Sequence, residues 1–255
     1  MIDYDVAVIG AGAAGLMCAI EAGKRGRRVL VIEHCDRVGK KILISGGGRC
    51  NFTNLNVTPE NFLSANPHFC KSALARYTQW DFIAMVERHG IAYHEKELGQ
   101  LFCDQSARQI VTMLTDECRE AGVRIATDCS VGSVERGKAG FVIKTKRGSI
   151  ETSSLVVASG GLSVPKMGAT GLGYEVAKRF SHSLVPTCAG LVPFVFSADD
   201  LVRYKDLSGV SLPVQVECRG QSFANAMLFT HRGISGPAIL QISSYWQSGD
   251  ELAVN

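Results

Sequence analysis

Three observations predict an α/β fold built around a parallel sheet. Tyr4-Asp5-Val6-Ala7-Val8-Ile9 is an apolar, β-branched run that opens directly into Gly10-Ala11-Gly12-Ala13-Ala14-Gly15. That glycine loop leads into the helix-forming stretch Leu16–Lys24, and a second apolar run, Arg28-Val29-Leu30-Val31-Ile32, ends in Glu33. A strand, a G-x-G-x-x-G turn, a helix and an acid at the end of the next strand read together as a Rossmann-like dinucleotide-binding domain.

Each part of the loop has its own task. Gly10 allows the tight turn, Gly12 lets backbone approach a pyrophosphate, and Gly15 lets the helix pack close to the strand. The helix N-terminus offers unpaired N–H groups and a partial positive charge to phosphate, and Ala13 and Ala14 of the loop are cofactor-binding candidates beside Gly12. Glu33 falls at the spacing, about 20 residues on, where a carboxylate accepts hydrogen bonds from an adenosine ribose. An acid there favours a free 2′-hydroxyl, hence FAD or NAD over NADP at this loop.

Beyond Glu33 the apolar periodicity stops. His34–Asn54 carries Gly39, Gly46, Gly47 and Gly48 among polar residues, and is expected to be an irregular loop near the strand ends, where a cofactor lies. Phe69–His89 has apolar residues at helical spacing and is expected to be one helix, and Ala107–Ala121 a second. Short runs at Val123–Ile125, Val131–Val134, Phe141–Lys144 and Ser149–Glu151, separated by turn signals, predict a small antiparallel meander. Leu155–Ala158 reads as a buried strand entering Ser159-Gly160-Gly161, and Gly171–Phe180 as a helix. From about Pro186 the texture becomes that of short strands, at Leu191–Phe196, Val214–Cys218 and Ala226–Leu228, with Ser235-Gly236-Pro237 starting a helix. The expected organisation is a Rossmann-like domain over 1–187, with a helical excursion over about 55–121, and a β-rich second domain over 188–255.

Composition narrows the class. The chain has 255 residues, 46% hydrophobic and 20% charged, which suits one or two globular domains. A net charge of +3 neither demands nor excludes an RNA partner, and the basic pairs Lys24-Arg25, Arg27-Arg28 and Lys40-Lys41 read as solvated faces. Nine cysteines are an odd number, and none forms C-x-x-C or a Cys/His cluster with zinc spacing, so reduced thiols, no metal and a cytoplasmic location are expected. His34, His68, His89, His94 and His182 likewise lack ligand spacing. A core strand begins almost at the first residue, which reads as no signal peptide, and no apolar run reaches membrane-spanning length, so no membrane partner is expected.

Four stretches together resemble one family, the bacterial YhiN-like flavoproteins, also called the BaiN/RdsA family of FAD-dependent oxidoreductases. They are the Gly10–Gly15 loop with Glu33; Gly39-Lys40-Lys41-Ile42-Leu43-Ile44-Ser45-Gly46-Gly47-Gly48-Arg49-Cys50-Asn51-Phe52-Thr53-Asn54; Ala158–Pro165 through Gly168–Tyr174; and Leu228–Pro237. The resemblance implies FAD at the glycine loop. It also implies that family members continue past Asn255 with a segment that returns to the nucleotide-binding fold. The chain is therefore expected to be a truncated member with an incomplete second domain.

Candidate residues follow. Gly47, Gly48 and Asn51 are candidates for lining the flavin ring or the pyrophosphate, since consecutive glycines bring backbone N–H groups near without a Cβ. Arg49 would stabilise negative charge on reduced flavin or a bound anion, or else brace the loop by pairing with a carboxylate. Cys50 beside it would be a reactive thiol of lowered pKa, or a small packing residue. Lys41 would reach phosphate or flavin, or stay solvated. Gly160 and Gly161 would sit at the cofactor edge, or form a plain turn, and by analogy Val131 would place backbone against adenine. His231, in a turn-rich motif, would be a proton donor or a structural hydrogen-bonding group. Trp80, Phe82, Phe194 and Phe196 read as core rather than base-stacking platforms.

The expected function is an FAD-dependent oxidoreductase with NAD(P)H as electron donor, reducing an activated carbon–carbon double bond. The resemblance implies an enone-like small molecule or uracil in 23S ribosomal RNA as substrate, the latter reduced to dihydrouridine. The alternative is a truncated, non-catalytic FAD- or ADP-binding fragment. A purely NAD-dependent dehydrogenase is disfavoured by the 39–54 segment.

Overall fold

The computed structural model describes residues 3–255 and divides into two compact units, Met1–Leu184 and Val185–Asn255. In the first, strand β1 (Tyr4–Ile9) leads through the glycine loop into helix α1 (Ala13–Lys24) and strand β2 (Val29–Ile32). Both strands alternate between two buried faces. Val8, Val29 and Val31 face a core with Leu16, Ala19 and Ile20 of α1. Ala7, Ile9, Leu30 and Ile32 face a second core on the other side. That two-sided burial explains why both strands read as unbroken apolar runs.

The 34–54 stretch is more regular than expected. Helix α2 (Lys40–Ile44) and strand β3 (Asn51–Asn54) flank a tight turn, Ser45–Gly48. The predicted Phe69–His89 helix is two: α3 (Lys71–Arg76) and α4 (Gln79–Arg88). Thr78 divides them. Its hydroxyl accepts the Asp81 backbone N–H and its own N–H donates to the Asp81 carboxylate, a capping box that starts a new helix regardless of the apolar spacing across it. Strands β4 (Tyr93–Glu95) and β5 (Gln100–Cys103), not foreseen, join β3 in a three-stranded sheet ordered β3-β5-β4. Helix α5 (Arg108–Glu120) falls where expected and buries Ile110, Met113, Leu114 and Cys118 in the α1 core.

Strand β6 (Arg124–Ala126) is not part of a meander, as its neighbours suggested. It pairs parallel to β2. Strands β7 (Val131–Gly137), β8 (Gly140–Thr145) and β9 (Gly148–Val157) are antiparallel hairpin partners. β9 merges the two predicted segments, Ser149–Glu151 and Leu155–Ala158, into one strand. Thr152 is opposite Phe141 of β8 on one side and Tyr4 of β1 on the other. The polar Ser153-Ser154 pair is a continuous part of the strand, and Ser154 is opposite Val6. One six-stranded sheet, β6-β2-β1-β9-β8-β7, is therefore parallel from β6 to β9 and antiparallel beyond. Helix α6 (Leu172–Arg179) packs Val176 into the second core with Val134 and Ile143.

The second unit is β-rich. Strand β10 (Phe194–Val195), helix α7 (Ala198–Tyr204), strands β11 (Ser211–Cys218), β12 (Gln221–Thr230) and β13 (Gly233–Ser235), helix α8 (Pro237–Ile242) and strand β14 (Ala253–Val254) follow in order. The sheet order is β10-β13-β12-β11-β14. Gly236 caps α8 and Pro237 opens it, as the sequence predicts. Ile239 and Ile242 of α8 bury against Val214, Val216 and Met227.

Two surface expectations fail. Trp80 is not core: it is 58% exposed, on the outer face of α4, while Phe82 packs on the α1 core. Nor are the basic pairs merely solvated. Lys24 bridges Glu117 at 2.6 Å, Arg28 bridges Asp5 at 2.8 Å and Lys40 bridges Asp36 at 3.0 Å.

Candidate nucleotide-binding site

The C-terminal ends of β1, β2 and β9 meet at a crevice. One part is lined by Gly10, Ala11, Gly12, Glu33, Lys41 and Gly160. An adjoining part shares Gly10 and Glu33 and adds Val131, Gly132, Leu172 and Glu175. Ligands of doubly wound sheets lie at such an edge.

The loop glycines differ in what they do. Gly10 has φ +109°, and a Cβ there would lie 2.4 Å from the Ala158 carbonyl oxygen. At Gly15 a Cβ would lie 1.9 Å from the Gly10 carbonyl oxygen, so this position holds helix against strand. Gly12 is the contrast: a Cβ there would meet no protein atom within 4 Å. Gly12 faces the cleft, and its lack of a side chain is not required by packing. It is also the N-cap of α1, with no side-chain cap and no acidic residue in the first turn. The N–H groups at the helix start therefore point to the crevice with their partial positive charge uncompensated.

Glu33 is buried and accepts hydrogen bonds on both oxygens. Ala11 N–H donates to Oε2 at 2.8 Å and Cys35 N–H to Oε1 at 2.9 Å. A carboxylate has about four acceptor sites, so these two bonds fix its orientation and leave capacity for ribose hydroxyls. The residues present thus fit an ADP-containing dinucleotide: an uncapped helix start, an open Gly12 and a clamped acid on the neighbouring strand.

Side chains from further along complete the rim. Lys41 Nζ donates to Ser163 Oγ at 2.8 Å, and a Cβ on Gly160 would stand 3.7 Å from that ammonium. Val131 reaches the crevice because the chain after β2 is pinned there: Cys129 N–H donates to the Glu33 carbonyl at 2.9 Å and Asp128 N–H to the Cys35 carbonyl at 2.8 Å. The structure thus brings together Gly10, Gly12, Glu33, Lys41, Val131 and Gly160. Gly161 stands nearby, where a Cβ would be 3.6 Å from the Tyr174 hydroxyl. Ala13 and Ala14 occupy the first turn of α1.

Other candidates stand apart from this lining. Gly47, Gly48, Arg49 and Asn51 belong to the turn and strand after α2. Gly46, Gly47 and Gly48 all have positive φ, at 56°, 65° and 88°. A Cβ at Gly46 would strike the Phe102 ring and the Asn51 nitrogen at 2.7 Å, whereas at Gly47 it would meet nothing. The glycine run is therefore partly a packing requirement and partly an open surface. Arg49 is exposed, and among the described residues no carboxylate pairs with it, so the bracing role has no partner. Cys50 is buried at φ +53°, and burial pushes its thiol pKa up, with only the Ser45 hydrogen bond opposing. That is the opposite of activation by a neighbouring cation, and it makes Cys50 a packing residue. His231 lies on the exposed β12–β13 turn of the second unit, where Thr230 Oγ1 accepts N–H groups of Arg232 and Gly233.

Sequence reasoning did not single out His34, Cys35 or Glu175, all of which line the crevice. Donor atoms of Glu33, His34 and Cys35 lie within 4.8 Å of one another, although their consecutive order matches no metal motif. His34 Nδ1 is 3.0 Å from Glu33 Oε1, and its Nε2 is 3.3 Å from Cys35 Sγ. The only signal for His34 and Cys35 was their position immediately after Glu33.

Loop, helix start and acid define a Rossmann-type dinucleotide-binding domain. Residues 4–226 match the HI0933-like protein Rossmann domain, and the chain belongs to that family. The family resemblance read from the sequence is thereby borne out. The chain is 53% identical over 253 residues to the ribosomal RNA dihydrouridine synthase of Escherichia coli (strain K12), covering 99% of this chain and 63% of that protein. It is 52% identical to the protein of the same name from Haemophilus influenzae, over 97% of this chain and 63% of that one. With the 3-dehydro-bile acid delta(4,6)-reductase of Clostridium scindens it shares 28% identity, over 96% of this chain and 61% of that protein. The chain therefore spans a little over three-fifths of the curated relatives it matches. Among solved structures, glycine oxidase from Geobacillus kaustophilus aligns at TM-score 0.50 and 16% identity, over 84% of this chain and 61% of that one, a likeness of fold. Among the described residues no helix is long and apolar enough to cross a membrane.

Proposed function

We infer that this chain carries the FAD-binding part of a flavin-dependent oxidoreductase that reduces uracil in ribosomal RNA to dihydrouridine, with NAD(P)H as electron donor. The observation that carries the reading is the 53% identity to a ribosomal RNA dihydrouridine synthase across nearly the whole chain, which includes the crevice residues. The bile-acid reductase is far less similar, at 28%, and that favours RNA over an enone-like small molecule.

FAD, when bound, would supply the hydride chemistry that links NAD(P)H oxidation to reduction of the uracil double bond, whose second carbon would take a proton. The chain's own residues bind and orient. The α1 N–H groups and Gly12 would hold pyrophosphate, and Glu33 would hold the adenosine ribose. Lys41, tethered to Ser163, places a positive charge on the crevice rim. Arg49, unpaired among the described residues, is the group available to offset negative charge on the substrate side.

The test is a visible absorbance spectrum of the purified chain with added FAD, followed by NAD(P)H bleaching and by analysis of an incubated 23S rRNA transcript for dihydrouridine. Bound flavin, NAD(P)H-dependent bleaching and dihydrouridine formation support the reading. Flavin that binds and is reduced, with dihydrouridine absent and an enone consumed, would replace RNA by a small molecule.

A further inference from the structure

A second cleft in the first unit is lined by no residue of the glycine loop. It runs from the starts of β1, β2 and β6 and the β8–β9 turn along β6 to Cys129, which it shares with the Val131 part of the crevice. At about 3.3 Å per residue, the length of β1 puts the Tyr4 end of the cleft roughly 17 Å from the glycine loop. Its volume is about 590 Å³, its floor includes Leu30, Cys129 and Ile150, and its rim carries Arg28, Arg124 and Arg147.

The three arginines are held in different ways. Arg28 bridges Asp5 at 2.8 Å, and that carboxylate offsets its charge. Arg124 Nη1 instead donates to the Tyr4 hydroxyl at 3.2 Å, and Arg147 Nη2 to the Thr127 carbonyl at 2.8 Å. Both acceptors are neutral. Among the described residues these two guanidinium groups are thus oriented by neutral acceptors, and each keeps further N–H donors for an anion. The acid on this rim, Asp3, accepts the Glu151 N–H at 2.9 Å. An apolar floor between oriented, uncompensated guanidinium groups suits a nucleotide chain, with phosphates on the rim and sugar or base against the floor. Among the described residues no glycine loop and no helix start lines the cleft to enclose a terminal phosphate.

We propose that this cleft binds the phosphodiester backbone of the RNA substrate, as a docking site outside the glycine loop. The proposal rests on the RNA reading above. Phosphate contacts of this kind position a substrate without reading its sequence.

The experiment is fluorescence anisotropy of a fluorescein-labelled, uridine-containing RNA stem-loop titrated with the FAD-supplemented chain over a series of salt concentrations. Wild type is compared with R124Q/R147Q and R124K/R147K, with inorganic phosphate and NADP⁺ as competitors. For the glutamine variant the expected result is about tenfold weaker binding and a log Kd–log salt slope shallower by about 1.5, since each phosphate contact contributes about 0.7–0.9. The lysine variant keeps most of the slope, and FAD affinity is the same in all three. Wild-type affinity and slope in R124Q/R147Q would overturn the docking site and leave the RNA reading standing. A wild-type chain that binds FAD but no RNA would overturn both. RNA displaced by NADP⁺ from wild type but not from R124Q/R147Q would reassign the cleft to a small phosphate ligand.

Discussion

The backbone N–H of Ala11 donates to Glu33 Oε2 at 2.8 Å, tying the glycine loop to the end of the neighbouring strand. One carboxylate thereby closes the loop, and in the proposed site it also takes the ribose. Removing it should act on stability and on binding together. Glu33→Ala leaves the N–H groups of Ala11 and Cys35 without their acceptor, at a cost of about 1–3 kcal/mol for a buried donor. Thermal unfolding and ADP titration check this: both the midpoint and the affinity should fall.

The glycine loop separates packing from binding. Gly15→Ala should unfold the first unit or destabilise it by more than 3 kcal/mol or so, because the new Cβ has backbone 1.9 Å away. Gly12→Ala adds a Cβ that meets nothing, so its midpoint should stay near wild type while dinucleotide affinity drops by about tenfold, equivalent to roughly 1.4 kcal/mol. Circular dichroism melts paired with FAD titration distinguish the two.

Glu117 holds α1, α4 and α5 together through Lys24 at 2.6 Å, Arg88 at 3.2 Å and His89 at 3.0 Å. Its side chain is 6% exposed, and the His89 and Lys24 hydrogen bonds hold its pKa down to about 2, from an ordinary 4.5. A depressed carboxylate pKa gives stability that is complete above about 4.5 and lost as pH falls towards 2. Wild type should lose on the order of 2–3 kcal/mol across that window from this group alone. Glu117→Gln should be less stable at neutral pH and show a flatter acid limb in urea unfolding.

Cysteine reactivity should follow burial rather than sequence neighbourhood. Cys188 is exposed, while Cys50, Cys103 and Cys118 are buried with raised thiol pKa values, about 11 for the latter two. Iodoacetamide with mass-spectrometric mapping should label Cys188 first and leave those three intact in the native protein. Cys50→Ala should retain flavin binding.

The nucleotide-binding core was legible because its signals are local: a strand, three glycines at fixed offsets and an acid on the next strand. What depended on distant partners was not. β6 looks like its neighbours in the meander, and only pairing with β2 reveals it as an edge of the parallel sheet. The two halves of β9 read as separate strands because Ser153 and Ser154 interrupt the apolar run. Their pairing on one strand depends on β1 and β8 lying on either side. Thr78 and Asp81 carried a readable helix-start signal that the apolar spacing of 69–89 obscured. The sequence left Cys50 open between a reactive thiol and a packing residue, because adjacency to Arg49 says nothing about which side chain turns into the core. His34, Cys35 and Glu175 became visible only when the turn after β2 and the first turn of α6 met at the strand ends.

The most direct measurement is a titration of FAD into this chain, followed by quenching of flavin fluorescence, for wild type, Gly12→Ala and Glu33→Ala. The expected result is saturable one-to-one binding by wild type, weakened in both variants, with Gly12→Ala still fully folded. No saturable binding by the folded wild-type chain, or equal binding by all three, would contradict a dinucleotide site between the glycine loop and Glu33.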